Sequence, residues 1–137
     1  YDGRVRNPWN EIECGSNYAR SMASYALLPI MSGFSFDLTE GRIGFAPRPG
    51  MPMPFRTFWS AGEAWGLFEL GAERAELKLL GGTITLRRFS LPGLSSGASA
   101  RLGGKPVALR ADADSLCFAS PLKLTADTAT SLLEVTR

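Results

Sequence analysis

The spacing of apolar residues changes once along this chain, close to Gly33. Before that point Tyr18, Ala19, Met22, Ala23, Ala26, Leu27, Ile30 and Met31 recur at steps of three and four, which marks one face of a helix. The pattern predicts a helix over 17–31. Ser16 stands where an N-cap is needed, because its hydroxyl can accept from a free amide of the first turn. Pro29 has no N–H to offer the Tyr25 carbonyl, so the last turn should bend or end early. Gly33 is placed to stop the helix. Upstream, Asn7-Pro8 and Cys14-Gly15-Ser16 are turn formers, and residues 1–16 read as a loop.

After Gly33 the period is two. Phe34, Phe36 and Leu38 alternate with Ser35 and Asp37; a turn at Glu40-Gly41 leads to Ile43 and Phe45. This predicts a hairpin with Phe, Leu and Ile on its buried face. The proline-rich stretch 47–54 reads as a connector, since such a segment cannot supply ladder donors. Strands are predicted over 55–60 and 65–70. The clearest alternation spans 73–80 and 83–91 about Gly81-Gly82, which reads as a two-residue hairpin turn between them. A loop over 92–99 precedes short strands over 100–102, 107–110, 116–119, 122–125 and 131–136. The predicted fold is mainly β with one N-terminal helix. A loop-plus-helix unit, 1–32, precedes an antiparallel sandwich-like region, 33–137.

Composition supports a real core: 45% of the 137 residues are hydrophobic and 20% are charged. Net charge is +2, with both signs interspersed, so nucleic acid is not an expected partner. No transmembrane segment is expected, because the longest apolar run, 23–31, is short and holds Pro29. Histidine is absent, which removes Ser-His-Asp and Cys-His catalysis within this chain. Cys14 and Cys117 read as free thiols, and neither a metal site nor any cofactor is expected. The chain opens on Tyr1 inside a polar segment, so it is expected to be a C-terminal piece of a longer protein.

Candidate chemistry gathers in the first helix and the loop before it. Glu11 and Glu13 are two residues apart, so they would approach a glycosidic bond from one side. A retaining glycosidase needs its two carboxyls on opposite sides, roughly 5–5.5 Å apart. Ligand clamping suits the loop better: Glu11 can accept from sugar hydroxyls, and Arg20 can donate to them through its rigid fork. On spacing alone, an ion pair that pins loop to helix, or a glutamate favoured by the helix dipole, ranks ahead of ligand clamping. Trp9 could stack on a sugar, whereas Trp59 and Trp65, set among strand residues, read as core.

The run Asn7-Pro8-Trp9-Asn10-Glu11-Ile12-Glu13-Cys14-Gly15, with Tyr18-Ala19-Arg20 and Met22-Ala23-Ser24, resembles the C-terminal part of glycoside hydrolase family 116. That family includes non-lysosomal glucosylceramidase and bacterial β-glucosidases and β-xylosidases. Gly33-Phe34, Ile43-Gly44-Phe45-Ala46-Pro47, Phe58-Trp59-Ser60 and Trp65-Gly66 look like its continuation. The similarity covers about the first half of the chain; the second half shows generic strand patterning. The resemblance implies a retaining β-glycosidase whose catalytic domain is an (α/α)6 barrel. Such a barrel does not fit in 137 residues, so the chain would hold the last barrel helix and the β-rich region after it. The resemblance also implies that the nucleophile and acid/base lie upstream and are absent here. Its sugar-binding glutamate and arginine fall on Glu11 and Arg20, and Glu13 would hold the loop. A β-glucoside or related sugar is the implied partner. The rival expectation is a non-catalytic β-sandwich that binds carbohydrate or packs against a larger domain. Either way, the helix carries apolar residues that need a cover, so in the isolated chain it is expected to pack on the sheet or to drive self-association through that face.

Overall fold

The computed structural model describes residues 21–126 and 128–136, with backbone alone for 21–23. The loop 1–16, the Ser16 cap, Glu11, Glu13 and Arg20 lie outside the described residues.

The described part of the helix is wound in two ways. Ser21–Ala26 is a 3-10 helix, and Leu27–Ser32 is an α-helix, α1. Sequence periodicity predicts one continuous helix here. Pro29 explains the difference: without an N–H it leaves the Tyr25 carbonyl no α-type partner, and the change of winding falls beside it. Gly33 ends α1 in the left-handed conformation at φ 58°, as its position predicts. A side chain there would overlap the Ala46 carbonyl. The closing carbonyls of α1 are satisfied by the following chain, with Ala46 N bonding Ser32 O at 2.9 Å and Arg48 N bonding Met31 O at 3.1 Å.

The rest is a two-sheet sandwich. The strands are β1 Ser35–Asp37, β2 Arg42–Gly44, β3 Phe55–Ala61, β4 Ala64–Leu70, β5 Arg74–Gly81, β6 Thr83–Ser90, β7 Ser99–Leu102, β8 Lys105–Pro106, β9 Leu109–Asp112, β10 Ser115–Thr125 and β11 Leu132–Thr136. One sheet runs β1-β2-β6-β10-β9 and the other β3-β4-β5-β11-β7-β8. Among the described residues every pairing is antiparallel except β2 with β6, which is parallel.

The largest departure from expectation is at Gly81-Gly82. β5 pairs with β4 and β11, whereas β6 pairs with β2 and β10 in the opposite sheet. The predicted hairpin is therefore a crossing between sheets. Both strands carry strong alternation because each turns one side toward the same interior. Ala75, Leu77 and Leu79 approach it from one sheet, and Ile84, Leu86 and Phe89 from the other. Gly82 makes the corner at φ 76°. Its missing side chain lets the corner lie against the Glu63 carbonyl, while Gly81 accepts the Trp65 indole over its Cα.

Two further differences are smaller. The predicted strands 116–119 and 122–125 are one strand, β10, whose register with β6 breaks between Cys117 and Leu122. Pro121 sits in that irregularity, where no ladder donor is required. In the first hairpin Ile43 and Phe45 are buried as expected, but Phe36 and Leu38 are exposed, because β1 is an edge strand. The core centres on Phe45 and Phe68, one from each side of the interior, stacked at 3.8 Å. Trp59, Phe89, Leu116, Leu124 and Leu133 pack around them. Each such side chain contributes about 1.5–3 kcal/mol on burial.

Candidate functional site

The helical segment forms one wall of a cleft. The cleft holds about 320 Å³ between the helical segment and the edge strands β1 and β3. Tyr25, Leu28 and Pro29 form the helical side. Phe34 and Phe36 form the base, with ring centroids 5.6 Å apart. Phe58, Trp59 and Ser60 form the far wall.

Ser32 holds the helical wall in place. Its buried hydroxyl donates to Leu28 O at 2.6 Å and accepts from Phe34 N at 3.2 Å. Trp59 is 1% exposed, and its indole N–H meets no acceptor among the described residues. A buried donor left this way costs about 1–3 kcal/mol relative to a bonded one. Among the described residues no carboxylate, histidine or lysine lines the cleft. Its described walls offer aromatic faces and hydroxyls.

Beside the cleft, the outer face of β3 and β4 is apolar at one end and charged at the other. Phe58 pairs with Leu67 and Ser60 with Trp65, and the Phe58 and Trp65 rings lie 6.3 Å apart. Trp65 is 43% exposed, which corrects its expected place in the core; Trp59 occupies the core as expected. The parity was available in the sequence. Arg56 and Glu69 must face water, and Phe58, Leu67 and Trp65 lie an even number of positions from them. At the charged end Arg56 Nε bonds Glu69 Oε2 at 2.7 Å, and the pair holds the guanidinium above its ordinary pKa. Arg74 bridges Glu76 at 2.6 Å and Glu134 at 3.4 Å.

Cys117 is a free thiol, as expected; Cys14 lies outside the described residues. Among the described residues no cluster of metal-ligating side chains occurs, and no helix is long and apolar enough to cross a membrane. No protein-family model matches this chain, and no curated protein matches it.

Proposed function

We propose that this chain is one wall of the sugar site of a retaining β-glycosidase similar to glycoside hydrolase family 116. Glu11 and Arg20 bind sugar hydroxyls, and the catalytic carboxylates come from outside this chain. The observation that carries this reading is the motif from Asn7 to Ser24, in which Glu11 and Arg20 fall on the family's sugar-binding positions. Two features support it. The described walls of the cleft, which begin at Tyr25, five residues past Arg20, are aromatic, apolar and hydroxyl-bearing and hold no carboxylate or lysine. The helical segment carries no charge and exposes Tyr25, Leu27, Leu28, Ile30 and Met31, the kind of face a larger helical domain covers. Without that cover the same face drives self-association of the isolated chain, read by light scattering.

A specific observation also favours a second reading, a carbohydrate-binding or packing module. The exposed Phe58–Trp65 pair on the sandwich, its rings tilted by 36°, offers aromatic faces of the kind that stack on sugars. Kinetics separate the two. In the enzyme containing this chain, Glu11→Gln and Arg20→Gln each lower kcat/KM for an aryl β-glucoside by about 10- to 100-fold, the worth of a charge-assisted hydrogen bond. Trp65→Ala leaves it within about twofold on the same scale. Turnover by the 137-residue chain alone, or an effect of Trp65→Ala exceeding that of Glu11→Gln, contradicts the proposal.

A further inference from the structure

The outer face of the β1-β2-β6-β10-β9 sheet carries a row of cations. Arg42 on β2 is in register with Arg88 on β6, Arg88 with Cys117 on β10, and Cys117 with Arg110 on β9. Neighbouring strands lie about 4.8 Å apart, so three guanidinium stems rise from one line about 15 Å long. Arg87 joins them. Gly41 O accepts from both Arg87 N at 2.7 Å and Arg88 N at 3.1 Å, which draws the β1–β2 turn against β6. Gly41, at φ 61° and close to the Arg87 stem, permits that approach. Arg42, Arg87, Arg88, Cys117 and one carboxylate, Glu40, then enclose a concavity of about 300 Å³.

Like charges placed directly across a sheet repel. On the opposite sheet the cations are matched, through Arg56–Glu69 and Arg74 with Glu76 and Glu134. On this face the match is partial: among the described residues Arg42 bonds the Ser35 hydroxyl at 3.4 Å and is attracted by Asp37, its ladder partner on β1, while Arg87, Arg88 and Arg110 form no ion pair. Asp37 attracts Arg42, but its Oδ1 also accepts from the Thr39 amide and hydroxyl and the Glu40 amide. All of these cations are arginines, whose planar forks match a tetrahedral oxyanion in a way lysine does not.

We propose that this concavity binds the oxyanion of a phosphate ester, held by Arg42, Arg87 and Arg88, with Arg110 adding to the attractive field. The volume exceeds that of phosphate alone and leaves room for the group it esterifies. Glu40 at the rim can accept a hydroxyl from that group. The site stands apart from the Trp59 cleft and does not depend on the glycosidase reading.

Cys117 is a built-in reporter. In the 137-residue chain carrying Cys14→Ser, inorganic phosphate should slow modification of Cys117 by the anionic reagent dithiobisnitrobenzoate. The doubly substituted Arg42→Gln/Arg88→Gln chain should need about tenfold more phosphate for the same protection, while Arg101→Gln on the other sheet needs no more. A second arm uses phosphatidylcholine vesicles with and without phosphatidic acid. Retention by phosphatidic acid that Arg42→Gln/Arg88→Gln abolishes, with no protection by free phosphate, assigns the ester to a lipid headgroup. Protection by free phosphate assigns it to a soluble compound. Circular dichroism confirms that the variants fold. Neither protection nor retention, or either one unchanged in the double variant, overturns the proposal.

Discussion

Gly82 and Gly104 have nearly the same backbone, at φ 76° and φ 77°, but different surroundings. A Cβ on Gly82 would overlap the Glu63 carbonyl, whereas one on Gly104 meets nothing within 4 Å. Gly104→Ala should therefore cost only the backbone term, about 1 kcal/mol. Gly82→Ala adds a clash with main chain that cannot rotate away, and should cost about 2–3 kcal/mol or more. Urea unfolding of the two variants checks the difference, and equal costs would mean that the inter-sheet corner yields to a side chain. The same contrast shows what the sequence could tell. A glycine pair between alternating runs announced a turn at 81–82, but it did not announce whether the turn closed a hairpin or crossed the sandwich. That choice rests on contacts from Glu63 and Trp65, residues distant in the pattern.

Among the elements, the β1–β2 turn is organised by one carboxylate. Asp37 is held below the ordinary carboxyl value of 3.8, first by the Thr39 hydroxyl, then by the Glu40 amide. A carboxyl with a depressed folded pKa contributes stability above its unfolded pKa, and loses it as pH falls through the folded one. The turn should thus be unaffected from neutrality down to about pH 4 and weaken below it. In urea unfolding across that range, Asp37→Asn should show a shallower acid limb than the wild type; parallel limbs would mean that Asp37 does not organise the turn. Strand positions were legible wherever one face met water, as in β3 and β4, where charged residues set the parity. Over the described residues the helix was legible in its end at Gly33 but not in its winding, because periodicity near 3.6 does not register where the donor missing at Pro29 changes the hydrogen bonding. The edge position of β1 was invisible, since Phe36 and Leu38 have the composition of core residues and only their neighbours decide otherwise.

At the scale of the molecule, three outer surfaces differ in kind. The helical segment and the adjoining ends of β3 and β4 are apolar. The far end of that sheet is charge-matched, and the opposite sheet carries an arginine row matched only in part. The candidate sugar-binding pair, Glu11 and Arg20, rests on the motif alone and lies outside the described residues. The cationic row was not legible, because its arginines are dispersed over β2, β6 and β9 and meet only through strand register. The central claim is that Glu11 and Arg20 bind sugar. Its most direct test is a glucose titration of the 137-residue chain read by amide chemical shifts, in the wild type, Glu11→Ala and Arg20→Ala. Sugar binding by this pair predicts saturable shifts centred on the motif and the Tyr25–Ser32 stretch, abolished in both variants. Shifts centred on Phe58 and Trp65, or shifts that persist without Glu11 and Arg20, would contradict it.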